Sequence, residues 1–237
     1  MKSIEKAKFI ITCEHGGNKV PGELAEYFSK ACKILENHRG YDIGGLELAR
    51  KISAGLEAPF FYSETTRLVV DLNRSTFSKN LFSEFTCILN KEEKDRILEK
   101  YYFPYRNKVE TEITRLAEEQ GVIHIAVHSF TPVMNDKVRN ADIGFLYDPK
   151  RKPEKTFCSL WKQKLDKETP SFRTRMNYPY RGISDCLPLK LKKILQPEKY
   201  IGIELEINNK IFENPALTKM LHEALLKTLM EIKEQQF

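Results

Sequence analysis

Apolar and polar positions alternate along this chain in two rhythms, one with the period of a strand and one with that of a helix. Lys8 to Cys13 (KFIITC) is a short β-type run that stops at Glu14-His15-Gly16-Gly17, a strand end passing into a glycine turn. From Ile43 to Leu56 apolar residues return at helical spacing after Gly40-Tyr41-Asp42, which makes Asp42 a candidate N-cap as well as a candidate ligand. Pro59 to Tyr62 and Leu68 to Leu72 read as two further strands, the second closing on Asn73-Arg74-Ser75. Lys91 to Gln120 carries a long amphipathic helical pattern, interrupted or kinked near Pro104 and ended by Gly121.

A buried strand follows at Val122 to Val127, with His128 and Ser129 at its carboxyl end, and Gly144 to Tyr147 predicts another. A helix is expected through Phe157 to Lys167. Tyr200 to Ile207 (YIGIELEI) is a strand with Glu204 and Glu206 on one face and aliphatic residues on the other. Pro215 to Gln236 reads as a closing amphipathic helix. Strands interleaved with helices predict an α/β fold in three layers, a mixed and mostly parallel sheet flanked by helices, with ligands bound at the carboxyl ends of strands. Residues 129–142 and 170–188 read as long loops, and no repeat, low-complexity tract or linker divides the chain.

Length and composition narrow the picture. At 237 residues the chain suits one domain, 1–237, large enough to bury a core without disulfides. Its 41% hydrophobic and 30% charged residues are those of a soluble globular protein. No apolar run is long enough to span a bilayer, and the start MKSIEKAKFIITCEHGG carries no cleavage pattern, so a cytoplasmic address is expected. Five scattered cysteines without a CxxC pair read as reduced thiols. The net charge of +6 comes from basic residues spread among 33 acids, which argues against a nucleic-acid surface and suits small anionic substrates.

Several residues stand out for their chemistry. His15 and His128 each sit at a strand end, where an imidazole can meet a cation or a substrate, whereas His124, deeper in its strand, reads as a core histidine. Two such histidines and a carboxylate would supply three metal ligands and leave one position open. Asp42 is the preferred third ligand, with Asn18 and Glu14 as competitors. In TTRLVVDLNRS, Arg67 and Arg74 flank Asp71 and Asn73, a grouping suited either to gripping a carboxylate or to a structural ion-pair hub. Glu204 and Glu206 need a reason for burial: a proton-transfer role beside a metal, or pairing with an arginine such as Arg67 or Arg139.

Taken together, CEHGGNKVP, HRGYDIGGLELA, TTRLVVDLNRS, HSFTPVMNDKVRNADIGFLYDP, NYPYRG and IGIELEINN resemble, in order, the motifs of the N-formylglutamate amidohydrolase family across residues 13–209. The resemblance implies a fold similar to zinc carboxypeptidases and the aspartoacylase group. It also implies one zinc ion held by His15, Asp42 and His128, with Glu206 as base and acid and Arg67 polarising the scissile carbonyl. By the same resemblance Asn73 and Arg74 grip the substrate's α-carboxylate, while Arg139, Tyr180 and Arg181 read its side chain. The related enzymes place a glutamate three residues after the first zinc histidine, where this chain has Asn18. The expected activity is hydrolysis of a small acidic N-acyl amino acid, N-formyl-L-glutamate first. The alternatives are a carboxypeptidase-like peptidase acting on short or cell-wall peptides, and a non-catalytic binder of acidic metabolites.

Overall fold

The computed structural model describes residues 7–235, so the charged lead at residues 1–6 and the expected helix end at Gln236 lie outside the described residues. The chain runs through β1 (Lys8–Cys13), a 3₁₀ turn at Gly22–Phe28, α1 (Cys32–Leu35), α2 (Gly45–Leu56) and β2 (Phe60–Tyr62). Then come α3 (Lys91–Ile97), a π-helical turn at Leu98–Tyr102, α4 (Phe103–Glu119), β3 (Val122–Phe130) and a hairpin of β4 (Val133–Met134) with β5 (Lys137–Val138). The remainder is β6 (Ile143–Leu146), α5 (Lys152–Glu168), β7 (Thr174–Met176), α6 (Leu187–Lys192), β8 (Tyr200–Asn208) and α7 (Pro215–Glu234).

Local signals account for most helix boundaries. Asn90 and Glu93 form a reciprocal capping box at the start of α3. Asn214 accepts from the backbone of Ala216 and Leu217, and Pro215 occupies the first turn of α7, where no N–H is needed. Pro104 has no N–H to give a helix interior, and the chain accommodates it where the π-helical turn passes into α4.

The main sheet has six strands in the order β2-β1-β3-β8-β6-β7, parallel except at the β8–β6 junction. On one face Ile11, Ile125, Ile203 and Leu205 pack with Leu48 and Ile52 of α2, Trp161 of α5 and Leu225 of α7. On the other, Ile10 and Val122 meet Val109 and Ile113 of α4 and Leu187 and Leu191 of α6. These are the expected three layers of a mixed, mostly parallel α/β fold. In parallel β1, β3 and β8, Thr12 pairs with Ala126, Ala126 with Glu204, and His128 with Glu206, so one sheet edge collects their polar ends.

Four local expectations change. Leu68–Leu72 is a buried series of turns rather than a strand: Thr86 Oγ1 donates to the Val69 carbonyl at 3.0 Å and Asp71 N–H to the Leu81 carbonyl at 2.8 Å. Its apolar side chains fill a separate core with Leu24, Phe28 and Leu81, so burial without a sheet explains the pattern. Asp42 does not cap α2, since Gly44, at φ 77°, holds that position. The strand around His128 runs on to Phe130, which places the imidazole within β3. The two long loops contain the β4–β5 hairpin, β7 and the start of α6, and α5 begins at Lys152, five residues before the expected helix.

Candidate metal centre

The site assembles where β1, β3 and β8 end. Gly17 passes so close to the Glu64 backbone that a Cβ there would lie 2.6 Å from the Glu64 carbonyl oxygen, so the turn after β1 needs glycine. That turn holds His15, whose carbonyl accepts from Asp42 N–H at 2.9 Å, bringing the segment before α2 to the sheet edge. His128 arrives on β3, beside Glu206 of β8.

His15 Nδ1 and His128 Nδ1 lie 3.4 and 2.8 Å from the same atom, Asp42 Oδ2, and the three residues' ligand atoms all fall within 4.8 Å of one another. All three side chains are buried. The far side of each imidazole faces a carboxylate. His15 Nε2 is 2.7 Å from Asp71 Oδ1, and His128 Nε2 is 3.3 Å from Glu14 Oε2, off the line of a full hydrogen bond. With protons on those Nε2 atoms, two nitrogen lone pairs and a carboxylate oxygen converge, a set that repels itself unless a cation lies among them.

Charge supports the same conclusion. Glu14, Asp42, Asp71, Glu204 and Glu206 are all buried here. Arg67 answers them, its Nη1 3.2 Å from Asp42 Oδ1 and its Nη2 2.8 Å from Asp71 Oδ2, with the partly exposed Arg74 Nε 4.0 Å from Asp71. Such a surplus of buried negative charge calls for protons or a metal ion. The pKa shifts report this demand. Burial and Arg67 push His15 down, yet Asp71 and Asp42 raise it overall. Burial opposes the charge on His128, but the hydrogen bond to Asp42 and the neighbouring Glu14 carboxylate carry its pKa well above the ordinary value. Despite burial, His15, His128 and Arg67 hold Asp42 far below the usual carboxylate range. The donor set of two imidazoles and one carboxylate with room for further ligands fits a divalent transition metal.

Of the competing ligands, Asn18 donates to Glu36 at 3.1 Å on the surface, while Glu14 stands behind His128 and accepts from Tyr105 O–H at 2.9 Å. His124 is the core histidine expected, bonded to Thr12 at 2.8 Å and Tyr200 at 2.7 Å, with burial lowering its pKa to about 4. The glutamates of β8 diverge. Glu204 accepts from Asn73 Nδ2 at 2.8 Å, so its partner is an amide rather than an arginine. Glu206 Oε2 is buried with no hydrogen-bond partner, and burial, reinforced by Asp42 and Glu204 against the pull of His128, raises its pKa to about 8.

A cavity of about 640 Å³ opens above these groups, within the range of small-molecule sites. Its wall includes Arg67, Asn73, Arg74, Tyr180, Arg181 and Glu206. Arg139 is not on the wall and stacks its guanidinium on Tyr180, 4.8 Å from the ring centre. Asn73 has its amide engaged at both ends, since its Oδ1 accepts from Leu187 N–H at 2.8 Å. Sequence reading missed the bond between His15 and Asp71 and the contact of Glu14 with His128. Alternation along β1 and β3 was the available signal for Glu14; nothing local marks Asp71 as a partner of His15.

A three-layer α/β scaffold carries a carboxyl-edge His-Asp-His cluster that could hold a metal ion, beside a buried glutamate oxygen without a partner, the kind of grouping found in hydrolase sites. The family model of N-formylglutamate amidohydrolase matches residues 7–212, and the chain belongs to that family, whose members hydrolyse amide bonds. Gene product Atu2144 from Agrobacterium tumefaciens is similar in structure, with a TM-score of 0.78 at 26% identity over 97% of this chain and 93% of that one. N-acetylmuramoyl-L-alanine amidase from Clostridium difficile 630 aligns with a TM-score of 0.47 at 9% identity over 98% of this chain and 100% of its own, too remote in shape to inform function. No curated protein matches the chain. No helix among the described residues is long and apolar enough to cross a membrane.

Proposed function

We propose that this protein is a zinc-dependent amidohydrolase that releases the acyl group of a small acidic N-acyl amino acid, with N-formyl-L-glutamate, giving formate and glutamate, as the first substrate to test. The observation that carries this reading is the convergence of His15 Nδ1, His128 Nδ1 and Asp42 Oδ2 at one cavity with the unpaired Glu206 oxygen. Zinc, when bound by those three residues, supplies a Lewis acid that polarises a carbonyl and acidifies water.

The remaining steps belong to the chain. Glu206, with a free buried oxygen and a high proton affinity, takes the proton of the attacking water and passes it to the departing amine. Arg67, a quarter exposed at the cavity wall, meets the negative charge that develops on the carbonyl oxygen, a contribution worth about 3 kcal/mol per donor in comparable sites. Arg74 and Arg181 are the wall guanidiniums assigned to the substrate's carboxylates. Asn73 lies on the wall but has its amide engaged in fixing Glu204, and Arg139 lies behind the wall and backs Tyr180.

A panel of N-acyl amino acids assayed for amine release, with and without a chelator, tests the proposal. The expected outcome is chelator-sensitive turnover confined to acidic amino acids. Turnover indifferent to chelation and to His15→Ala and His128→Ala would reject it, as would ligand-induced stabilisation with no turnover when zinc is supplied.

A further inference from the structure

Beneath the ligands, the polar face of the sheet carries a buried chain of side chains to which the hydrolytic steps assign nothing. Glu14 lies at its centre. Tyr105 O–H donates to Glu14 Oε1 at 2.9 Å, and His128 Nε2 stands 3.3 Å from Glu14 Oε2. On the same face Thr12 Oγ1 lies 2.8 Å from His124 Nε2, and His124 Nδ1 lies 2.7 Å from the Tyr200 hydroxyl.

A carboxylate only accepts, so the Tyr105 proton lies toward Glu14. Glu14 Oε2, 3.3 Å from His128 Nε2, and Glu204 Oε1, 3.7 Å from it, set two negative charges on that side of the ring. The Asn73 amide, 3.3 Å from Nε2, gives one N–H to Glu204 and competes with its other as a donor, and the two carboxylates outweigh that single neutral N–H in favouring a proton on Nε2. A proton kept on Nε2 leaves the Nδ1 lone pair aimed at Asp42 Oδ2 and at whatever ion the two share.

We propose that Glu14 is the positioning residue of His128, fixing its Nε2–H tautomer, and that the Tyr105 hydroxyl keeps Glu14 in place as an acceptor. The proposal rests on the metal reading given above, and the test separates the two.

Zinc affinity is measured by competition with a chromophoric chelator, and histidine tautomers by long-range ¹H–¹⁵N NMR on the zinc-loaded chain. Glu14→Gln keeps the shape but offers His128 an amide N–H. It is expected to bind zinc about 10- to 100-fold more weakly than the parent, with the melting temperature of the metal-free protein little changed. Tyr105→Phe, which folds without the burden of an altered carboxylate, is expected to weaken binding by roughly three- to tenfold through the loss of one donor to Glu14. In the parent, His128 is expected to be protonated at Nε2. Parental zinc affinity in both variants, or a His128 that carries its proton on Nδ1 in the loaded parent, would overturn the inference alone. A parent that binds no zinc would overturn the metal reading, and this inference with it.

Discussion

Toward the carboxyl ends of β1, β3 and β8 the two faces of the central sheet are built from the same strands and have opposite contents. Toward α2, α5 and α7, successive inward positions are Ile11 and Cys13 on β1, Ile123, Ile125 and Val127 on β3, and Ile203, Leu205 and Ile207 on β8. One residue out of phase, the same strands present Thr12, His124, His128, Glu204 and Glu206 to the other side, with Glu14 just beyond β1, and all of these are buried. Side chains alternate across a strand, so a single stretch of backbone can hold an apolar layer and a polar one 180° apart.

The contrast assigns different work to each face. The aliphatic layer gains from removal of apolar surface from water, about 25 cal/mol per Å². The polar layer gains nothing of the kind: each carboxylate there loses hydration and recovers it only through specific partners such as Tyr105 for Glu14 or Asn73 for Glu204. Glu206 Oε2 lacks even that. Glu14 Oε2 is likewise without a hydrogen bond but stands behind His128, whereas Glu206 faces the cavity, and a group left in so costly a state at a cavity wall marks where chemistry outweighs stability.

Substitutions that respect this division sharpen it, and ones that cross it break it. Glu206→Gln should have the largest effect, lowering kcat about 10²- to 10⁴-fold while metal content and melting temperature hold, as steady-state kinetics and metal analysis will report. Leu205→Ala, one residue earlier and on the opposite face, should cost about 2–5 kcal/mol in urea unfolding and leave the zinc affinity of the folded protein intact. If Leu205→Ala instead abolished metal binding at full stability, the faces would not be independent. Asp71→Asn removes the carboxylate 2.7 Å from His15 Nε2 and should weaken metal binding roughly 10- to 100-fold in a chelator competition.

The smallest effect concerns pH. Burial holds His124 at about 4 in the fold against 6.5 when exposed. Above pH 6.5 it is neutral in both states and its contribution to stability is complete. As pH falls from 6.5 toward about 4 the unfolded chain binds the proton and the folded one does not, so stability is lost across that window. Urea midpoints measured from pH 7.5 to 4 should therefore fall less steeply in His124→Gln than in the parent; equal slopes would show that His124 does not titrate this way.

Much of this division was legible from residue order. The strands at Lys8–Cys13, Ile143–Leu146 and Tyr200–Asn208 and the helices around them follow from periodicity, and Glu204 and Glu206 announce a polar face by interrupting an aliphatic run. Leu68–Leu72 misled because four apolar residues in five satisfy a buried turn as well as a strand, and the carbonyls that would identify a ladder are met instead by Ser83 and Thr86. Asp42 was ambiguous because a carboxylate before a helix is an ordinary cap; only the tertiary approach of His15 and His128 turns it to the sheet edge. The partnership of His15 with Asp71 spans 56 residues and carries no local signal at all.

The account depends on a divalent ion bound through the Nδ1 atoms of His15 and His128 and a carboxylate oxygen of Asp42. Anomalous diffraction at the zinc edge, from crystals grown with stoichiometric zinc, tests it directly. The account predicts one strong peak among those three atoms, with a carboxylate oxygen of Glu206 within reach of the open coordination position. Zinc ligated elsewhere, or bound through the Nε2 atoms toward Asp71 and Glu14, would contradict it.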